Sequence, residues 1–512
     1  MTWDFLFNLE GAWDLLEGQT LHVDVHDALG VLPFLLTEIG FRLSGVGPHA
    51  FLVGALLYAA FIFAAALCVV APRLPTLAAA LAVLYLTLLV LVPVNIGDDP
   101  SVYTFAMSYN RFGWSSLILL FLLLVLPPQR EPRRHATDAI LALTLLIALF
   151  YLKITYFLVG FGAVASAAFL STHLRREIGT WLAVLAIVGV IAAAPFNVPY
   201  WRDIWAAVMS GAVRADPLGL VKSAVLSGAE TGLLLVELLC LIWLWRQRQT
   251  TARRVVLALL VVASGIFILS QNAQTSGVPL YVVISFMLFD VLRGARLQPP
   301  LWHDRGLGLL RLASLAIPVL AVASMGLSLA GYWQKATHAA GVAIDNARLQ
   351  GLAVPADKGN LIAAFSLGFV SPQTLIAARQ EHPRWDLTQA EYLETIRDAL
   401  AIFRDDPDGK HFGPAPRIMV FDGVNPLPFA LGLPSPSGGN LWFDAVFPWP
   451  PARQVLADVD VVLIPKFASA TTDIAMARYG ACLRAHFALD RETMSWIVYR
   501  RTAADRALSD CN

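Results

Sequence analysis

The sequence predicts a polytopic α-helical membrane protein, with about ten transmembrane helices over residues 1–333 and a soluble α/β domain over 334–512. Three observations lead there. Of the 512 residues, 57% are hydrophobic and 14% charged, with a mean hydropathy of +0.64. Soluble domains carry nearer a quarter charged residues, so an ordinary cytosolic enzyme is excluded. The charge is also uneven: residues 1–333 hold 38 Asp, Glu, Lys and Arg, while the last 179 residues hold 36. Finally, apolar runs near the roughly 20 residues a bilayer crossing needs recur along the first part only.

Those runs fall at 50–71, 75–94, 113–127, 137–152, 154–171, 180–198, 219–245, 254–270, 277–292 and 308–331. The 137–171 stretch is interrupted by Lys153 and reads as a tight hairpin or one long bent helix. No basic segment followed by an apolar stretch opens the chain, so no cleavable signal peptide is expected, and the first span does the targeting. Basic residues set the orientation. With ten spans, one side receives 14 basic residues, from Arg73 through the clusters at 130–134, 175–176 and 246–254 to Arg311. The other side receives six: Arg42, Arg111, Lys153, Arg202, Arg214 and Lys222. The first side is therefore cytoplasmic. Residues 1–48, the loops near 95–112 and 199–218, and the C-terminal domain then face outward, which in a bacterium is the periplasm. Most acidic loop residues are on that outer side, and any chemistry is expected there. The 37 basic and 37 acidic residues balance, so the chain has no global nucleic-acid footprint.

In the soluble part, Leu387–Phe403 has helical apolar spacing, with Thr388 as N-cap and Glu391 completing a capping box. Short apolar runs at 417–422, 459–465 and 495–500 read as strands, and 471–487 as a helix. The Pro/Gly/aromatic loops at 425–428, 434–440 and 447–451 read equally as a rigid binding edge or as surface loops over a core. Cys68 and Cys240 lie in apolar runs and read as inert core thiols. Cys482 and Cys511 either pair, if their domain is outside the cytoplasm, or stay as two free thiols.

Several polar groupings can carry chemistry. The first outer loop places His22, Asp24, His26 and Asp27 within six residues. It reads as a hydrated loop with helix-capping acids, as a carboxylate base at the mouth of a membrane cavity, or as a metal site. In the last case an extended strand would put His22, Asp24 and His26 on one face. In the second loop, Asp98 and Asp99 either bind a divalent cation or sugar hydroxyl, or start a helix at Pro100. Tyr109 and Asn110 are candidate sugar contacts beside Arg111, which either snorkels or holds a lipid phosphate. Lys153 breaks an apolar run on the outer side, where a lysine needs water, an ion-pair partner or a phosphate. Ser270–Ser276 gathers Gln271, Asn272 and Gln274, amides suited to sugar or headgroup recognition, or a simple polar turn. Trp201-Arg202-Asp203 adds an Arg/Asp pair. Glu230 and Glu237 are seven apart inside a span and share a helix face.

Gly18-Gln-Thr-Leu-His-Val-Asp24-Val-His-Asp-Ala-Leu-Gly30, followed by Pro33, resembles the first outer loop of the GT-C superfamily of membrane glycosyltransferases. Architecture resembles it along the whole chain, while the first-loop motif is the residue-specific part. The resemblance implies a multi-span enzyme using a polyprenyl-phosphate sugar donor on the outer face. It places Asp24 at the family's catalytic aspartate, with His26, Asp27, Asp98 and Asp99 as secondary candidates. Lys153, Arg111 and Arg202 become candidates for the donor phosphate. A glycan, lipid or protein of the envelope is the implied acceptor. One departure concerns the start: the family has a span before this loop, whereas Met1 here begins almost on it. Either that span is absent or the natural protein begins earlier. No cofactor motif is present, and a divalent cation stays open.

The implied reaction is direct displacement. The acceptor hydroxyl attacks the anomeric carbon, Asp24 takes its proton, and polyprenyl phosphate leaves as an anion. Two other classes compete. A lipid-linked-glycan flippase or transporter would use Glu230, Glu237 and Lys153 as its path, but the spans show neither an internal repeat nor a nucleotide-binding motif. A glycan polymerase or ligase shares the compartment and the lipid substrates.

Overall fold

The structure, a computed structural model, describes residues 2–97, 103–128, 135–171, 174–211, 228–271, 277–295, 304–338, 342–343, 346–354, 389–406, 409–444, 448–467, 469–502, 508 and 511. The helices of the first three hundred residues run α1 (Thr2–Leu16), α2 (Leu32–Ser44), α3 (His49–Val70), α4 (Thr76–Leu91), α5 (Ser108–Val125), α6 (His135–Leu152), α7 (Ile154–Leu170), α8 (Ile178–Ala192), α9 (Val198–Met209), α10 (Gly228–Arg246), α11 (Ala252–Gln271) and α12 (Val282–Gly294). After them come α13 (Asp304–Ala313) and α14 (Ala316–His338). Each of the ten apolar runs is met by a helix. Four of these helices, α3, α5, α11 and α14, are each long and apolar enough to cross a membrane alone, while α4 and α6 are shorter apolar helices. Lys153 resolves the doubtful stretch: it sits in extended backbone, φ −165° and ψ 129°, and separates α6 from α7.

The chain divides into two compact units. One comprises Ala55–Val198 and Val213–Tyr332. Its centre is α5, which is apolar on every side from Phe112 to Val125 and is buried on every side, as such a helix must be. Gly113 lets the Tyr156 ring approach, since a Cβ there would lie 2.8 Å from it. Tyr58 and Ser116 share a buried hydrogen bond of 2.6 Å. Arg73 is wholly buried, donating to the carbonyls of Val69 and Leu126 and to Asp138 at 2.6 Å. Glu237 is buried and accepts the Ser285 hydroxyl at 2.8 Å, whereas Glu230 is exposed. The shared face expected for the two acids therefore does not give them a shared environment. Cys68 is exposed rather than a core thiol, because one side of α3 in this unit has no protein against it.

The other unit comprises Met1–Gly54, Pro199–Ala212 and Trp333–Asn512. Here α1 and α2 pack closely. Gly11 leaves room for the Phe34 ring, which a Cβ would meet at 2.5 Å. Asn8 bridges the pair, accepting from the Thr37 hydroxyl at 2.6 Å and donating to the Pro33 carbonyl at 3.3 Å. The C-terminal part adds a short hairpin of β1 (Val342–Ala343) and β2 (Ala353–Val354), then α15 (Gln389–Arg404), β3 (Ile418–Val420), α16 (Leu427–Leu431), α17 (Ala452–Val455), β4 (Val461–Pro465), α18 (Ala470–His486), β5 (Phe487–Glu492) and β6 (Trp496–Arg501).

Four of these strands form a sheet in the order β3-β4-β6-β5. β3 and β4 are parallel, with Ile418 opposite Val461, and the other pairs are antiparallel. All five residues of β4 are buried, as a central strand of continuous apolar sequence requires. α18 starts with a capping box between Ser469 and Thr472. Its Tyr479 and Leu483 pack on the sheet residues Met419, Val462 and Ile464 and on Leu456. Cys482 and Cys511 are joined by a disulfide, which settles the choice the sequence left open. Thr388 and the side chain of Glu391, proposed to cap α15, lie outside the described residues.

Candidate functional site

The site is built in the unit that joins the N-terminal residues to the C-terminal domain. α1 ends at Leu16, and Gly18, at φ +90°, turns the chain, with its neighbour Gln19 donating its backbone N–H to the Asp14 carbonyl at 2.9 Å. The segment 22–24 is a turn, with His22 in the left-handed region at φ +71°. The extended strand that would place His22, Asp24 and His26 on one face is therefore not formed. Asp24 closes the turn instead: its Oδ2 accepts the Thr20 N–H at 2.7 Å.

The loop is held along its backbone by residues 438–441. Gly438 N–H donates to the Asp24 carbonyl at 2.6 Å, His26 N–H to the Gly439 carbonyl at 3.0 Å, and Leu441 N–H to the His26 carbonyl at 3.0 Å. Gly438 has φ +81°, and a Cβ there would meet the Gln454 carbonyl at 2.6 Å, so only glycine fits. Gln19 and Trp13 add side-chain bonds to the Ser435 and Leu433 carbonyls at 2.8 and 2.9 Å.

The two histidines meet on a residue some 180 positions away. Asp203, on α9, accepts from His22 Nδ1 at 2.9 Å and from His26 Nδ1 at 3.0 Å, and from the Asp27 N–H at 3.4 Å. An ionised carboxylate only accepts, so both rings carry a proton on Nδ1. His26 Nε2 meets the Gln454 amide at 3.2 Å. His22 Nε2 is buried without a partner among the described residues, and its ring lies 4.6 Å from that of Tyr200. Burial alone would raise the Asp203 carboxyl. The hydrogen bonds from His22 and His26, and the charge those rings can carry, outweigh it and hold the group below the usual carboxylate range.

Asp27 is buried and caps the Leu29 N–H at 2.7 Å. Asp24 is thus the loop carboxylate left half-exposed, and its Oδ1 accepts no hydrogen bond among the described residues. Arg202 is exposed on α9, beside Asp203 in sequence.

The remaining expected residues are in the other unit. Lys153 lies 5.5 Å from the centre of the Tyr109 ring, so these two are brought together. Arg111 is buried, and its Nη1 donates to the Val94 and Ala106 carbonyls at 3.0 and 3.3 Å. Asn110 is buried within hydrogen-bond distance of the Tyr156 hydroxyl. Gln271 donates to the Ser270 hydroxyl at 3.2 Å. Asp98, Asp99, Asn272 and Gln274 lie outside the described residues.

Two features were missed as site residues in the sequence. Asp203 gives no local signal of its histidine partners, although an acid in a Trp-Arg-Asp triplet, in a stretch the sequence reads as an outer loop, was a hint. Glu10 and Asp14, four apart in a largely apolar segment, were a stronger one. Both are buried. The Glu10 oxygens accept the Ser435 hydroxyl at 3.0 Å and the Phe429 N–H at 3.3 Å. Burial, then the neighbouring Asp14, raises the Glu10 carboxyl well above its ordinary value. Burial pushes Asp14 up to about 7, against a downward pull from nearby Ser435.

No family model matches the chain, and neither does any curated protein. Two solved structures are similar to it. One is ArnT from Cupriavidus metallidurans in the apo state, 16% identical over 98% of this chain and 94% of that one, with a TM-score of 0.41. The other is ArnT from the same organism bound to undecaprenyl phosphate, 16% identical over the same shares, with a TM-score of 0.43.

Proposed function

We propose that this chain is a membrane glycosyltransferase that moves a sugar from a polyprenyl-phosphate donor to an envelope glycan, lipid or protein acceptor at the outer face of a bacterial inner membrane. Residues 1–333 supply the spans and outer loops, and residues 334–512 the periplasmic α/β domain. The observation that carries the reading is the state of Asp24. Its backbone is pinned by Gly438 and its side chain by Thr20, yet one carboxylate oxygen is left for a substrate. Its loop neighbour Asp27 is spent on a cap and Asp203 on two histidines. The Cys482–Cys511 disulfide supports an oxidising compartment for the C-terminal domain, in agreement with the basic bias of the opposite loops.

In the reaction, the acceptor oxygen forms a bond to the anomeric carbon while the bond from that carbon to the phosphate oxygen breaks. The acceptor proton passes to Asp24, and the electron pair leaves with polyprenyl phosphate. Inversion at the anomeric carbon follows from a single displacement. Cationic groups stabilise the departing phosphate. Within the unit that holds Asp24, Arg202, exposed on α9, is the candidate for this.

The test is transfer in proteoliposomes with radiolabelled polyprenyl-phosphate sugars and total envelope glycolipid as acceptor. Wild type is expected to form a new glycosidic bond. Asp24→Asn is expected to bind donor and to lose about 10²–10⁴-fold in rate. Labelled lipid that crosses the bilayer without transfer would favour a carrier and sink the proposal.

A further inference from the structure

Beside the Asp24 loop, within the same unit, lies a small cavity of about 30 Å³ lined by Glu10, Asp14, Asn425, Ser435 and Asn440 among others. The polar atoms facing it are one-sided. Both Asp14 oxygens are buried without a hydrogen-bond partner, on a side chain only 1% exposed. The Oδ1 of Asn425 is likewise buried and unpartnered, because its amide donates to the Ile418 carbonyl at 2.8 Å and so faces the other way. Glu10 has one donor on each oxygen, the Ser435 hydroxyl and the Phe429 N–H, and keeps a lone pair on each. Buried acceptors that lack donors cost free energy unless something positive or protic sits among them. Here three such oxygens and a second carboxylate gather around one small space.

We propose that this cavity is a calcium site, with Asp14, Glu10 and Asn425 as its protein ligands. The ligand set is all oxygen and includes two carboxylates, the chemistry that hard divalent cations take. Size selects between them. A cavity this small has room for about one water-sized occupant. Magnesium gives up its hydration water reluctantly, whereas calcium accepts a mostly protein shell. The bound ion would tie α1 to the 425–441 region, which pins the Asp24 loop. The inference stands whether or not Asp24 is a catalytic base, since it rests on the cavity alone.

Terbium luminescence tests it. Trp13 is next to Asp14 in the chain and serves as the sensitiser for terbium, a calcium mimic. The purified full-length protein in detergent, stripped with EDTA, is titrated with Tb³⁺ and then with Ca²⁺ and Mg²⁺. The expected result is one saturable site per chain, displaced by Ca²⁺ at concentrations at least tenfold below those of Mg²⁺. Asp14→Asn abolishes it, Asn425→Ala weakens it at least tenfold, and Asp24→Asn leaves it intact. Melting curves in EDTA establish that each variant is folded. Should Asp14→Asn fold poorly, Asn425→Ala decides alone, since it removes a neutral oxygen at the rim. A wild-type protein without a saturable site overturns the proposal and leaves a shared proton and a water in the cavity. Unchanged titrations in both variants overturn it too, as the ion would then sit elsewhere.

Discussion

Replacing Asp203 by Ala removes the acceptor that joins His22, His26 and the Asp27 N–H. Two of these bonds are short, at 2.9 and 3.0 Å, and the Asp203 side chain is 11% exposed, so solvent screens them little. A hydrogen bond to a charged group contributes about 1.5–3 kcal/mol, and the two share one acceptor, so their effects overlap. The loss is set at about 3–5 kcal/mol. For a unit of this size each kcal/mol moves Tm by roughly 2–4 °C, so the transition of this unit should drop by roughly 6–20 °C. Intrinsic fluorescence melting in detergent measures it. A cycle with His22→Ala should show a coupling of about 0.5–3 kcal/mol, as expected for residues in direct contact. The pH dependence has a definite sign. Asp203 titrates below its unfolded value, so its contribution is complete above the ordinary carboxylate range. That contribution fades as pH falls through about 4 toward the lower folded value, and Asp203→Ala should flatten this part of the acid profile. A variant that melts within about 2 °C of wild type, or a cycle with no coupling, would refute the reasoning.

Three further outcomes are expected. Gly438→Ala forces a left-handed residue against the Gln454 carbonyl, and should cost about 2 kcal/mol or more by melting; no change would mean the 434–440 loop yields freely. Arg73→Met strands Asp138 in the other unit and should cost about 3–5 kcal/mol, largely recovered in Arg73→Met/Asp138→Leu; a double variant no better than the single one would contradict this. The Cys482–Cys511 bridge closes a separation of 29 residues, for which loop entropy gives about 3–4 kcal/mol. Cys511→Ser should therefore lower the melting point of that domain, and peptide mapping of the native protein without reductant should recover the linked pair. Two alkylatable thiols there would reject the bridge.

The helices that meet the ten apolar runs were legible because apolar run length is a local property: a segment that must satisfy its own backbone in an apolar medium is written as one long apolar stretch. Lys153 marked its break for the same reason. α9 was not legible, since it lies in the stretch near 199–218 that reads as a loop. The buried strands at 418–420 and 461–465 were legible as continuous apolar runs. β5 was not, since Phe-Ala-Leu-Asp-Arg-Glu has a mostly solvent-accessible burial pattern and no alternation, as an edge strand with a bulge allows. The first forty-eight residues read as an outer loop, yet they contain α1 and α2. Glu10, Asp14 and the short lengths hid these two helices, and the partners of Glu10, Ser435 and Phe429, lie far along the chain.

At the candidate site, the sequence by itself determined the inventory: a loop with His22, Asp24, His26 and Asp27 after a glycine. Tertiary structure decided their roles. His22 and His26 converge on Asp203 because α9 delivers that carboxylate to the loop, and Asp24 is left half-exposed with one oxygen held by the Thr20 N–H. Hydrophobicity is summed along the chain and can be read from it. Hydrogen-bond partnership depends on which groups meet in space. Residues 24–26 therefore needed 438–441 before their chemistry could be assigned.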